Sequence, residues 1–173
     1  FKNRVNYYFP FIILGLFLHQ SIATPLTKTF FLLSATDVVS SLTFALLFEL
    51  FVYANFCGLS LLIYGLMGLM GVKIPLNFRQ PFSATNIVDF WKGWHTSLSL
   101  VLKTLFYTPL RKKWGSSIAI FGVYISSALW HGVTFNFLFW GTFHAAVFLI
   151  SVALLKRKTP VIPLILMFFG SVV

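Results

Sequence analysis

Apolar residues run along this chain in blocks separated by short stretches that hold nearly all of the charge. Residues 7–19 form an aromatic-rich block interrupted by Pro10, read as the end of a membrane span, and a polar connection with Thr24, Pro25 and Lys28 follows. Residues 38–72 are apolar over a length that fits one long helix or two closely joined ones, with Asn55 and Gly58 as the place for a break. Within that block Gly58, Gly65, Gly68 and Gly71 recur at intervals of three or seven, which predicts a small-residue face for close helix packing.

The pattern changes at Lys73. The stretch "KIPLNFRQPFSATN", 73–86, carries two prolines and several polar groups, so it reads as a loop ending in a helix cap at Asn86, with Asp89 in the acid-favouring first turn. From there Ile87, Trp91, Trp94, Leu98, Val101 and Leu105 recur every three or four positions, and Asp89, Lys92, Thr96, Ser99 and Lys103 do the same on the opposite face. The spacing predicts an amphipathic helical segment near 86–107, lying at the membrane interface or re-entering the protein interior. His95 falls on the seam between its two faces.

Two apolar runs, 116–130 and 134–155, are flanked by "RKKWG" at 111–115 and "KRK" at 156–158. Basic clusters favour the cytoplasmic side, so the two runs predict a helical hairpin near 116–155 with "WHGVT" at its turn. The first arm holds about 15 residues, which at ~1.5 Å each reaches ~22 Å into a hydrocarbon layer ~30 Å thick. His131 is therefore expected within the thickness of the membrane, where an ionisable residue is by default a functional candidate. Gly132 beside it leaves room for another group.

Composition supports the membrane reading: 58% of the 173 residues are hydrophobic and 9% charged, with a mean hydropathy of +0.90, against about 25% charged in a soluble domain. Thirteen basic residues face three acidic ones, Asp37, Glu49 and Asp89. The basic excess follows from loops between apolar runs rather than from nucleic-acid binding. The single cysteine, Cys57, excludes a disulfide framework. Lys2 and Arg4 before an apolar stretch imitate a signal peptide, but the blocks that follow favour an internal span. The start at Phe1, and the run from Val161 to Val173, shorter than the ~20 residues of a span, lead us to expect one internal fragment, 1–173, of a longer multi-pass protein. The expected fold class is all-α, a polytopic integral membrane helical bundle.

Four histidines carry the candidate chemistry. His95 and His131 each follow a tryptophan. His19 ends an apolar run and reads as interfacial, and His144 in "WGTFHAA" reads as structural, with a hydrogen bond to the site as the alternative.

The block "IPLNFRQPFSATNIVDFWKGWHTSLS", followed in order by "FYTPL", "SALWHG" and "FWGTFHA", resembles the membrane-bound O-acyltransferase family, in particular its bacterial branch of alginate O-acetylation and teichoic acid D-alanylation proteins. The pattern N-F-x-x-P-[FY], F-W-x-x-W-H-x-S-L-S, Y-x-P-L, W-H-G, G-x-x-H is present in full across residues 50–150. The resemblance implies that His131, in W-H-G, is essential for transfer and that His95 lines the same buried site. It also implies a tunnel joining a cytoplasmic donor entrance to an outer acceptor funnel, for which Trp94, Trp130, Asn77, Ser97 and Ser99 are the lining candidates. Two departures stand out: Lys103, Thr104 and Leu105 replace a common R-D-Y, and Asn55 and Leu61 stand at usually acidic positions.

The implied reaction moves an acyl group, expected to be acetyl, from a thioester donor (acetyl-CoA or a carrier-protein thioester) to hydroxyls of an extracytoplasmic polysaccharide. Such a transfer needs a base for the hydroxyl proton and hydrogen-bonding stabilisation of the oxyanion. His131 fits the base; His95 fits a group that orients the thioester or stabilises the oxyanion. Ser97 and Ser99 are expected to hydrogen-bond locally. A metal at His95 and His131 is disfavoured because no Cys, Asp or Glu accompanies them, and no tightly bound cofactor is expected. The resemblance further implies a bacterial cytoplasmic membrane location and a periplasmic acetyltransferase partner. D-alanyl transfer to teichoic acid, a proton-relaying transporter and a silent scaffold are the competing readings.

Overall fold

A computed structural model describes residues 2–30 and 36–156, with the side chains of 155 and 156 excepted. Arg157 and Lys158 of the last basic cluster and the run from Val161 lie outside the described residues. The described residues are helices and connecting loops without a strand, and three helical segments are long and apolar enough to cross a membrane: Lys2–Phe30, Val38–Leu69 and Phe135–Leu154. The expectation of an all-α membrane bundle is met. The chain divides into two units, one up to Phe78 and one from Arg79 on.

In the first unit α1 (Lys2–Leu16) continues through a π-helical turn, Phe17–Ala23, into α2 (Thr24–Phe30). The expected polar connection at Thr24, Pro25 and Lys28 is thus helical. Pro25 falls at the start of α2, where its missing N–H costs little, and the Thr24 hydroxyl donates to the His19 carbonyl at 2.9 Å. Pro10 lies inside α1 without ending it.

One uninterrupted helix, α3 (Val38–Leu69), occupies the long apolar block, so Asn55 and Gly58 do not break it. Its start is fixed by a capping box: the Asp37 carboxylate accepts from the Ser40 amide at 2.9 Å and the Ser40 hydroxyl accepts from the Asp37 amide at 3.1 Å. The glycine face packs on α1 as expected. A Cβ at Gly15 would sit 2.7 Å from the Gly58 carbonyl oxygen, and one at Gly58 would sit 2.9 Å from that of Gly15. The backbones therefore meet where only glycine fits, and van der Waals contact holds the pair where apolar burial gives no drive between helices in lipid. Tyr64 extends the seam against Tyr8 and Phe11.

In the second unit a short 3-10 turn, Pro81–Ser83, leads to α4 (Ile87–Gly93), then α5 (Thr96–Leu102). A π-helical turn, Lys103–Tyr107, feeds α6 (Thr108–His131), and α7 (Phe135–Lys156) returns along it. The hairpin and its W-H-G turn are as expected, but the basic stretch before it is helical. Gly115 kinks α6 with φ of 84°, a left-handed value that glycine adopts without a Cβ penalty. The segment over 86–107 is helical but divided between Gly93 and Thr96. A core of Ala84, Ile87 and Phe90, with Trp91, Trp94, Val147 and Phe148 packed on it, joins α4 to α7. Arms α6 and α7 cross tightly at Gly141, where a Cβ would meet the Tyr124 carbonyl oxygen at 2.8 Å.

Candidate active site

The break between α4 and α5 sets His95. Asn86 caps α4 by accepting the Asp89 amide at 2.9 Å, as the sequence predicts, and Asp89 is bridged to Lys92 at 2.7 Å. The Lys92 ammonium, with the Asn86 amide, holds the exposed Asp89 carboxyl below its ordinary range. After about two turns the chain leaves the helix at Trp94, and His95 takes φ 43° and ψ 58° as the residue before α5. A left-handed conformation in a residue with a Cβ costs roughly 1–2 kcal/mol, and such strain persists where the surroundings hold it. One tie is visible: the Gly93 carbonyl accepts the Arg79 amide at 2.9 Å, pinning the proline-rich loop to the break. Helical periodicity averaged over this bend; the glycine of "KGWH" was its one sequence signal.

His131 ends α6, and Gly132 is extended, with φ of 161°. Phe137 takes the room that Gly132 leaves, since a Cβ there would meet its ring at 3.0 Å. The Phe137 ring stacks on the His131 imidazole at 5.6 Å, and Trp140 meets it edge-on at 5.6 Å. Trp130 contacts both histidines, its ring 6.1 Å from the His95 ring and 4.9 Å from that of His131. Two imidazoles, one before α5 and one at the end of α6, thus share one indole neighbour. His95 is half-buried; burial, then the neighbouring His131, lowers its pKa from 6.5. An uncharged imidazole can accept a proton or polarise a carbonyl through its N–H.

Other expectations divide. Ser97 lies 3.5 Å from His95 Nδ1 and Ser99 donates to the Trp94 carbonyl at 3.5 Å, both local, as anticipated. Trp94 stacks on Phe90 at 5.5 Å and is partly buried against the core of α4. Asn77 donates to Ser60 at 3.2 Å within the first unit. His131 and Trp130, expected in a buried site, are exposed in the described residues. His19 is not a free interfacial group: its Nδ1 donates to Asn55 Oδ1 at 3.0 Å, from the π-helical turn to α3.

The site has a floor that the sequence did not reveal. Trp91 of α4, Tyr124 of α6, and Trp140 and His144 of α7 form one ring cluster, with Trp91 and Trp140 6.0 Å apart and His144 1% exposed at its centre.

A peptidoglycan O-acetyltransferase from Helicobacter pylori is 30% identical over 83% of this chain and 31% of its own length. A teichoic acid D-alanyltransferase from Bacillus subtilis is 27% identical over 76% of this chain and 37% of its own length. A probable alginate O-acetylase AlgI from Pseudomonas aeruginosa is 33% identical over 67% and 23%. The chain thus spans between about a quarter and two fifths of the length of these relatives. Residues 5–159 match the family model, and the chain belongs to MBOAT, the membrane-bound O-acyltransferase family.

Proposed function

We propose that this chain is the histidine-bearing part of a membrane O-acyltransferase that moves an acyl group, acetyl by preference, from a cytoplasmic thioester to hydroxyls of an extracytoplasmic polysaccharide. The observation that carries the reading is the contact of both His95 and His131 with the one Trp130 ring. Relatives named for O-acetylation of peptidoglycan and alginate support the acetyl group and the polysaccharide acceptor. The bacterial cytoplasmic membrane is the compartment in which such a donor and acceptor meet across one protein. Acetyl-CoA or a carrier-protein thioester would serve as donor, and a periplasmic acetyltransferase as partner.

In the proposed step His131 takes the proton of the acceptor hydroxyl as its oxygen attacks the thioester carbonyl. His95 donates its ring N–H to the developing oxyanion. Collapse breaks the carbon–sulfur bond, and His131 returns the proton to the departing thiolate, so no net proton is consumed. Trp130, in contact with both imidazoles, borders the place where the carbonyl and the hydroxyl meet.

D-alanyl transfer is the second reading, favoured by the teichoic acid D-alanyltransferase match over 76% of the chain. The test compares cells carrying wild-type full-length protein with cells carrying His131→Ala at equal membrane levels. Ester-linked acetate on surface polysaccharide should be lost in the variant. Loss of ester-linked D-alanine instead selects the second reading, and unchanged ester content in both removes His131 from the base role.

A further inference from the structure

His144 is the most enclosed polar side chain of the second unit, 1% exposed, and neither its Nδ1 nor its Nε2 has a hydrogen-bond partner among the described residues. The Nε1 of Trp91, whose ring lies 5.2 Å away, is buried in the same condition. Burying such groups without partners is unfavourable, and buried polar atoms in folded proteins are otherwise paired. A phenyl ring at 144 would pack into this cluster without that cost. The imidazole is therefore kept for something other than stability.

Its neighbours say what. The His144 ring touches Trp91 of α4 edge-on at 5.2 Å and 87°. It lies parallel to Tyr124 of α6 at 6.2 Å and 17°, and meets Trp140 of its own helix at 4.7 Å. Helix α4 leads into the bend that bears His95, α6 ends at His131, and Trp140 packs directly on the His131 ring at 5.6 Å. One side chain thus contacts α4 and α6, the helices that lead into the two site histidines. Edge-on contacts of an imidazole carry direction, because its N–H points at a negative ring face while an unprotonated nitrogen avoids it. A phenyl edge, alike all round, has no such preference.

We propose that His144 is a positioning residue: its oriented imidazole fixes Trp91 and Trp140, and through them the separation and tilt of His95 and His131. The proposal rests on the acyl-transfer reading for its kinetic consequence but not for its geometry.

The test uses full-length protein in detergent or lipid nanodiscs, as wild type, His144→Phe and Trp140→Phe. It combines acetyl transfer from a thioester, thermal unfolding, and spectra of nitrogen-labelled histidine. His144→Phe should unfold at a higher temperature than wild type, because two unpartnered buried nitrogens are gone. Its kcat should nevertheless fall about 10- to 100-fold with KM for the thioester unchanged, the cost expected of a small misplacement at a reacting pair. The His95 and His131 signals should shift in both variants. A role in packing alone would move stability and activity together. Unmoved histidine signals, or a wild-type kcat in folded His144→Phe protein, overturns the proposal. Shifted signals in a protein whose wild type transfers no acyl group support the positioning role and remove the acyl-transfer reading instead.

Discussion

The backbone amide of Arg79 donates to the carbonyl of Gly93 at 2.9 Å, and a Cβ at residue 93 would sit 2.8 Å from the Arg79 carbonyl oxygen. Loop and helix end are therefore in backbone contact two residues before His95. Gly93→Ala forces two main-chain segments apart, since no flexible side chain is available to give way. The expected loss is about 1–3 kcal/mol of stability, the range for overpacking, together with most of the transfer activity. Unfolding of the purified variant and acetate release from its product measure the two; a fully active, wild-type-stable Gly93→Ala protein would show that the latch does not set His95.

Position 95 separates stability from activity in another way. Its φ of 43° is strained for any residue with a Cβ. His95→Gly removes that strain and His95→Ala retains it, so the glycine variant should be more stable than the alanine variant by roughly 1 kcal/mol. Both should be deficient in transfer, because both lack the imidazole. Equal unfolding midpoints for the two variants would mean that the chain at 95 relaxes out of the left-handed region.

How much of this was legible in the sequence depends on the range of the interaction. Asn86 as a cap, the glycine face of α3 and the hairpin turning at His131 all follow from local pattern, because capping, small-residue spacing and apolar run length are properties of neighbouring residues. The division of the 86–107 segment was not legible: its apolar spacing continues through the bend, and the Arg79 amide that bonds the Gly93 carbonyl comes from outside the segment. Nor did spacing show that Thr24 and Pro25 stay helical, since the π-helical turn re-registers the chain just before them. His144 was read as structural because pattern places it on an apolar helix; its enclosure by rings from three helices is a tertiary fact. The family resemblance implies that His95 and His131 line one site, but no local pattern indicates that both rings contact Trp130.

Burial, and secondarily the proximity of His131, hold the pKa of His95 below its ordinary 6.5. Between the lowered value and 6.5 the folded protein binds fewer protons at this ring than the unfolded chain does. Stability therefore rises with pH across that window and is lost as the pH falls through it. Thermal unfolding followed from pH 6.5 downward should show this dependence, and His95→Phe should flatten it. Because the imidazole stays uncharged to a lower pH than a free histidine, transfer should also persist below 6.5. An identical pH slope in wild type and His95→Phe would mean that the ring is as well solvated in the folded protein as in the unfolded one.

The contact between His19 and Asn55 tests the first unit independently of any chemistry. His19 Nδ1 donates to Asn55 Oδ1 at 3.0 Å one turn beyond the point where Gly15 and Gly58 bring the two backbones together. A hydrogen bond between helices in a bilayer contributes about 0.6 kcal/mol on average and up to ~1.7, whereas a large side chain at Gly15 must separate the helices along their whole seam. Asn55→Ala should therefore cost under about 2 kcal/mol, and Gly15→Leu distinctly more. The expected order, Gly15→Leu worse than Asn55→Ala, can be read from reversible unfolding in mixed micelles. The reverse order would mean that the polar contact, and not the close approach of glycine backbones, holds α1 against α3.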